Sequence, residues 1–527
     1  MTRLRSPRAR WAPVRRAALA LSAVLAVAGC DSALDTEAFN VQTLDAQLSN
    51  PRGAIQYVNS LYGALPGLYN GAVPNLVESG TDDGWPFAQS FQGLKTRDID
   101  GTQAQLGNVW NPSLTHISRI NYYLGREAEI DFGDGEADAE LKGQLRGEAL
   151  FLRAFYYFNL VRLFGEVPIY DESVEIDEVS EAQRPRDPVP AVYDFIKNDL
   201  RRAVDLLPVS YGDDANALAD ETGRATSGAA RTLLAKVHLT LEEWDDVLDV
   251  TEPLLDGRYA LLQGSLNDSE GYVENFYGLL LDASLENGPE SIFEVQYSAL
   301  GDGPKSFIRV AFTPRGTRDG QNQILPTDND YPDFETGAYG PNAIIQAYED
   351  GDPRFVVTFD KFGASGNPVT ESRGEREWFV RKWYSNIGNN ETSFNIVVFR
   401  YAEVLLMRAE AFAELGQTGA AVDLVNQIRQ RAGLDPLGDE FSDGDDDQAE
   451  AIEAVRRERR LELAFEFKRL FDLNRWGTLT DVLAPQGVTI DPAKVTTHPI
   501  TGEPEVLYPI PLSELQRNPN ATQNAGY

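Results

Sequence analysis

"RGEALFLRAFYYFNLVRLFGEVPIY" (residues 146–170) is apolar nearly all round from Ala149 to Phe164. A helix at a protein surface shows an apolar stripe on one side and polar residues on the other. Here aromatic and aliphatic side chains point in almost every direction, so the segment predicts a helix buried on most sides. Gly165 predicts its end, and Pro168 prevents it from resuming. A helix that is buried this completely requires a body of other helices around it.

Those helices can be read on either side. "PRGAIQYVNSLYGALPGLY" (51–69) puts Ile55, Val58, Leu61 and Tyr62 on one face, and residues 104–125 continue in the same style. Two 34-residue segments, 226–259 and 401–434, each read as a helix, a short polar turn and a second helix. Small residues (Ala229, Ala230 and Ala235 in one; Ala402, Ala409, Ala411 and Ala413 in the other) stand where the helices would approach closely. That length and layout resemble a tetratricopeptide unit. Segments 146–164 and 189–207 predict another such pair. Residues 260–395 differ, being rich in Gly, Pro, Asn, Asp and aromatics with short strand-like runs at 291–298 and 376–384. They predict a long insertion of loops and short strands on a mainly α-helical frame, the kind of surface where binding sites usually sit.

The N-terminus reads as an export signal. Six arginines and no acid occupy residues 1–16, and the 13 residues 17–29 form an apolar run, too short to span a bilayer permanently. Val27-Ala28-Gly29-Cys30 resembles a bacterial lipobox, with Cys30 as the site of lipidation and the first residue after cleavage. Cys30 is the only cysteine, so an internal disulfide is impossible. Residues 31–50 read as a polar tether, and no later stretch approaches 18 uninterrupted apolar residues.

The formal charge of the 527-residue chain is −35; removing the six arginines of the signal leaves 41 basic against 82 acidic residues, or −41. A surface this acidic argues against nucleic acid and against adhesion to anionic lipid. The excess of arginine over lysine, 38 to 9, suits a high-salt medium, and a GC-rich genome would also favour it.

Catalytic and cofactor motifs are absent. His116, His238 and His498 match no zinc spacing, and no phosphate-binding or nucleophile-elbow pattern occurs. No cofactor and no metal are expected; the acid run "DGDDDQAE" (443–450) reads as a solvated turn rather than a calcium loop. One enzyme reading stands as an alternative. Glu458, Glu462 and Glu466 recur at four-residue steps in "RRERRLELAFEFKRLFDLNRWG" (456–477), and a secreted glycosidase would use Glu462 with a neighbouring carboxylate. The competing expectation is a structural helix whose acids pair with the basic residues close by in sequence (Arg457, Arg459, Arg460, Lys468 and Arg469).

Aromatic loops offer a stronger lead. Sugars present C–H faces ringed by hydroxyls, so they suit aromatic platforms with carboxylates or amides at the edges. "ESGTDDGWPFAQSF" (78–91) has that composition, placing Asp82 and Asp83 beside Trp85 and Phe87. Tyr277, Tyr331 and Tyr339 sit in similar mixtures at 271–278 and 328–340. These seven residues are the candidate ligand contacts.

Several segments together resemble the SusD/RagB family of outer-membrane lipoproteins, in order and over nearly the whole mature chain. The quoted helix resembles the family's most recognisable one. "GRATSGAARTLLAKVHL" (223–239), "GPESIFEVQYS" (288–298), "AYEDGDPR" (347–354), the helices at 401–416 and 456–477, and the closing "YPIPLSELQRNPNATQNAGY" (508–527) resemble its other blocks. The resemblance implies a SusD-like fold on tetratricopeptide-type helix pairs. It also implies a cell-surface protein that binds glycan (or, as an alternative, peptide or another nutrient) and delivers it, without chemistry, to a SusC-like TonB-dependent transporter. The expected organisation is a signal peptide at 1–29, a lipid-anchored tether at 30–50 and one domain at 51–527. Its frame would span about 51–259 and 396–527, with the ligand face at about 260–395. Asp31 directly after Cys30 is the one departure, because in some bacteria that residue retains lipoproteins at the inner membrane.

Overall fold

The structure, a computed structural model, describes residues 48–86, 89–174, 183–211, 218, 221–263, 285–298, 304, 306, 324–326, 344–361, 378–380, 382–383, 394–438 and 445–527. Cys30 and the expected signal peptide lie outside them. The packed body starts slightly before the expected boundary at residue 51. Leu48 is already in the core, and the Asn50 side chain caps the first helix by accepting from the Gly53 N–H at 3.0 Å.

Helices α1 (Pro51–Leu61) and α2 (Val73–Ser79) are joined by a run of short irregular turns. After α3 (Gln89–Thr96) and α4 (Ala104–Arg126) comes the decisive helix, α5 (Glu136–Phe164), which begins ten residues before the quoted stretch. From Gly147 to Val161 every residue of α5 is buried, polar ones included. Its partner α6 (Val189–Leu206) lies along it, close enough that a Cβ at Gly147 would come 2.9 Å from Leu207 Cγ. Arg153 fixes the pair, donating to Asp199 from Nε at 2.7 Å and from Nη2 at 2.8 Å with both groups buried.

The helix ends as expected. Gly165 takes φ 73°, ψ −125°, a region that only glycine enters at low cost. The last carbonyls of α5 are then satisfied from the far end of the chain: Tyr508 N–H donates to Leu163 O (2.8 Å) and Asn524 Nδ2 to Phe164 O (2.9 Å).

The two repeat-like segments form the helix pairs expected of them: α7 (Ser227–Thr240) with α8 (Trp244–Thr251), and, later in the chain, Tyr401–Glu414 with Thr418–Arg431. Numbered in order after α9 (Pro353–Thr358), the later two are α10 and α11, followed by α12 (Asp445–Glu462) and α13 (Arg469–Arg475). Successive helices pack side by side from α5 through α6, α7 and α8 to α10, α11 and α12. The acid run expected to be a turn instead opens α12 at Asp445, where negative charge favours the N-terminal end of the helix dipole.

Between the two parts of the frame, the described residues form short antiparallel ribbons. β1 (Gly84–Pro86) pairs with β3 (Ile324–Pro326), β2 (Ser291–Val295) with β6 (Ile396–Arg400), and β4 (Phe359–Lys361) with β5 (Trp378–Val380). A fourth ribbon joins β7 (Val495–Thr497) to β8 (Pro504–Val506). The β2–β6 ladder closes the insertion at its base, since its strands flank residues 296–395. It rests on α5 through rings: Phe155 stands 6.0 Å from both Phe293 and Phe399, centroid to centroid. Each such contact contributes about 0.5–1.5 kcal/mol beyond burial. Among the described residues, no helix is long and apolar enough to cross a membrane.

Candidate functional site

The loop after α2 contains the first three candidate ligand residues, and the fold grips it from several sides. Arg469 donates to Asp82 Oδ1 from Nε at 2.9 Å and to Oδ2 from Nη2 at 2.7 Å. Arg460 lies between the two acids, with Nη2 3.1 Å from Asp82 Oδ2 and 2.6 Å from Asp83 Oδ1. Burial alone would raise both carboxyls. Arg460 and Arg469 hold Asp82 well below the usual range, and Asp83, next to the charged Asp82, stays above it. Gln486 Nε2 donates to Asp82 O (2.8 Å) and Lys95 Nζ to Gly84 O (3.1 Å). Beyond these anchors the backbone enters the β1–β3 ladder, with Trp85 opposite Leu325.

This corrects the expected role of Asp82 and Asp83. Both are about 1% exposed, and their carboxylates serve arginines of this chain. They position the loop that carries Trp85 and do not face solvent as ligand contacts. The backbone of Trp85 is placed on β1. Its side chain, together with Phe87, Tyr277, Tyr331 and Tyr339, lies outside the described residues.

Beneath the loop is a strained turn at 463–468. Phe465 and Phe467 have φ of 58° and 63°, unusual for bulky residues. Surrounding groups impose this conformation. Trp383 Nε1 donates to Phe465 O (2.9 Å), Lys382 Nζ to Ala464 O (3.0 Å), and Phe467 N–H to Glu78 Oε1 (2.8 Å). The Trp383 and Phe467 rings stack 5.5 Å apart. Burial, then the nearby Asp83, pushes the Glu78 carboxyl up to about 8. Glu78 is therefore largely protonated at neutral pH.

The turn also revises the glutamate stripe. α12 stops at Glu462, so Glu466 is not on the same helix face as Glu458 and Glu462. All three are buried, and most of their partners come from distant segments rather than from the basic residues close by in sequence. Glu462 Oε1 accepts from Arg400 Nη1 (2.7 Å) and from Arg431, and Oε2 accepts from Arg354 Nη1 (3.3 Å). Glu466 accepts from Arg400 Nε (2.7 Å) and Lys382 Nζ (2.5 Å), and Glu458 from Arg354 Nη1 (2.5 Å). Glu290 bridges Arg400 (2.9 Å) and Arg431 (3.1 Å), while Asp352 takes Arg354 in a bidentate grip, Oδ1 accepting from Nε (3.0 Å) and Oδ2 from Nη2 (2.8 Å).

Against burial, which would raise it, three arginines hold the Glu462 carboxyl far below the usual range. Ionised, Glu462 cannot be the proton donor of a glycosidase, and fully buried among arginines it is closed to a sugar as the nucleophile or base. The cluster instead ties the insertion to the frame. Six of its members (Glu290, Asp352, Arg354, Glu458, Glu462 and Glu466) fall in segments quoted for the family resemblance. Arg400 and Arg431 had no signal in the sequence, nor did Glu78 as an anchor.

The histidines are separate. His238 contacts Glu243, with Asp246 3.8 Å away, the one grouping of metal-ligand type found among the described residues. Lys197 Nζ stands 2.9 Å from Glu243 Oε1, so a protein cation already supplies the positive charge there.

Comparison with known proteins agrees with this architecture. A profile of the SusD family matches residues 289–527, and a second one, described as starch-binding and associating with outer membrane, matches residues 69–239. SusD-like protein P38 of Formosa agariphila is 27% identical over 449 residues, covering 79% of each chain. A SusD superfamily protein from Parabacteroides distasonis superposes with a TM-score of 0.69 at 26% identity, over 90% of this chain and 98% of its own. A laminarin-binding SusD-like protein gives the same TM-score at 24% identity, over 90% and 99%. The fold is thus that of the SusD-like proteins. The chain belongs to the SusD/RagB family.

Proposed function

We propose that this protein is a lipid-anchored, cell-surface binding protein that captures an oligosaccharide and passes it to a SusC-like TonB-dependent transporter. The observation that carries the reading is the braced loop: Trp85 lies on a strand whose near flank is fixed by Asp82, Asp83 and the Gly84 carbonyl. A platform held in advance loses less entropy when a sugar stacks on it. Phe87, Tyr277, Tyr331 and Tyr339 complete the proposed face. The family's starch-binding description and the laminarin-binding relative support glycan as the ligand class. Cys30 provides the anchor, with the fold starting near Leu48 after a short tether. No group of the body takes part in chemistry on the ligand.

Calorimetry over a panel of α- and β-glucans tests this reading. The wild type binds at least one glucan, and Trp85→Ala weakens that binding about tenfold or more, the loss of one stacked ring. Unchanged affinity in Trp85→Ala would remove the platform assignment. Cys30→Ala moves the protein from the outer-membrane fraction to the soluble one, and co-purification from membranes identifies the transporter.

A further inference from the structure

A small cleft lies inside the frame, between α5, α7, β6 and the start of α13. Arg162, Lys236 and Lys468 line it together with Asn159 and the rings of Phe399 and Phe471. Lys236 and Lys468 are buried, while Arg162 and Phe471 are partly exposed and mark where the cleft reaches solvent. Its free space admits little more than one water-sized particle.

The charges around it do not balance. Glu403 is shared by Lys236, by Lys468 at 3.6 Å and by Arg459 at 3.4 Å. Arg459 also takes Asp472 (2.8 Å), which Arg475 claims from its other side at 3.1 Å. Arg162 donates to Phe158 O (3.1 Å) and Asn159 Oδ1 (3.0 Å) and packs between the Phe158 and Phe471 rings, with no carboxylate partner among the described residues. Four cations (Arg162, Lys236, Lys468 and Arg459) thus face two carboxylates, one of them shared further. The two ammonium groups stand 5.7 and 5.9 Å from the same Phe399 ring centre. Uncompensated positive charge in a poorly solvated space is costly, and a monatomic anion would relieve it. Burial, with the neighbouring cations, holds Lys236 down at about 7 when only the protein's own groups act on it.

We infer that this cleft is a binding site for a halide ion, chloride in the native setting, held by the Lys236 and Lys468 ammonium groups with the Arg162 guanidinium at its mouth. The size of the space selects a monatomic anion over sulfate or a carboxylate. The site is distinct from the loop platform and stands whether or not glycan is the ligand.

Crystals grown in sodium bromide test it directly, because bromide scatters anomalously. An anomalous peak beside Lys236 and Lys468 is expected; its absence, or peaks only at the surface, would overturn the inference. In solution, replacing sodium gluconate by sodium chloride at constant ionic strength raises the melting temperature of the wild type by roughly 1–2 °C. Equal melting temperatures in the two salts would also overturn it, since screening alone does not distinguish the anions. Lys236→Met and Lys468→Met each remove the chloride-specific rise. The second is the fallback if loss of the Glu403 contact keeps the first from folding.

Discussion

Arg469 holds Asp82 across 387 residues of sequence with two parallel hydrogen bonds of 2.9 and 2.7 Å. Through this contact the last third of the chain positions a loop near its beginning. Asp82→Asn takes from Arg469 the carboxylate that accepts both of its hydrogen bonds, while Arg460 keeps Asp83 at 2.6 Å; breaking a buried pair in this way costs about 3–5 kcal/mol. Urea denaturation of Asp82→Asn should show a lower midpoint with an unchanged slope. Weaker glucan binding should accompany it even though Asp82 is not itself at the surface. Arg469→Lys, which keeps the charge and loses the fork, should fall between the two proteins.

Glu462→Gln separates a structural role from a catalytic one. Its carboxylate meets Arg400, Arg431 and Arg354 in the interior. The variant should be destabilised by about 3–5 kcal/mol. Glucan incubated with either protein should remain uncleaved. Turnover by the wild type that Glu462→Gln abolished would revive the glycosidase reading.

Glu78 gives the protein a defined pH response. Its folded pKa, about 8, lies above the ordinary carboxylate value, so the folded state holds a proton that the unfolded state has released. Its contribution to stability is therefore complete below about pH 4.5 and is lost as pH rises through 8. The stability difference between wild type and Glu78→Gln should decline across that window, with a slope approaching about 1.4 kcal/mol per pH unit. Asp83, Lys382 and Glu466 are the charged groups that act on it, so the comparison must be made at fixed salt.

His498 responds in the opposite direction. Burial lowers it to about 4, and its Nδ1 accepts from the Thr501 N–H at 3.3 Å. Below the unfolded value near 6.5 the unfolded state takes up the proton first. Stability from this residue is therefore lost as pH falls from about 6.5 to 4. Denaturation curves of His498→Asn should be flatter than those of the wild type across that interval.

Gly165→Ala should destabilise by about 1–3 kcal/mol. Its φ of 73° with ψ −125° is closed to side chains, and a Cβ there would come 2.6 Å from Leu507 Cδ1. Melting curves will register this as a lower transition temperature.

Much of the frame was legible because helical order is local. The 3.6-residue pattern at 226–259 and 401–434 revealed both helix pairs, and Gly165 with Pro168 marked the end of α5. Where the reading missed, the cause was contact across long separations. Glu466 looked like the third rung of a helix, but Trp383, Lys382 and Glu78 hold residues 463–468 in a strained turn. Asp82 and Asp83 looked like ligand contacts because acids beside aromatics have the same composition whether they face a sugar or an arginine.

The sequence by itself determined a mainly helical body, a buried central helix and the family, since each rests on patterns within a few dozen neighbouring residues. Only the tertiary structure decided which charge meets which. Arg400 and Arg431 reach Glu462 across 62 and 31 residues, Arg354 reaches Glu458 across 104, and Arg460 reaches Asp83 across 377. Nothing in local periodicity encodes such pairs. They are fixed when packing brings unlike charges into a dry interior, where each must find its partner.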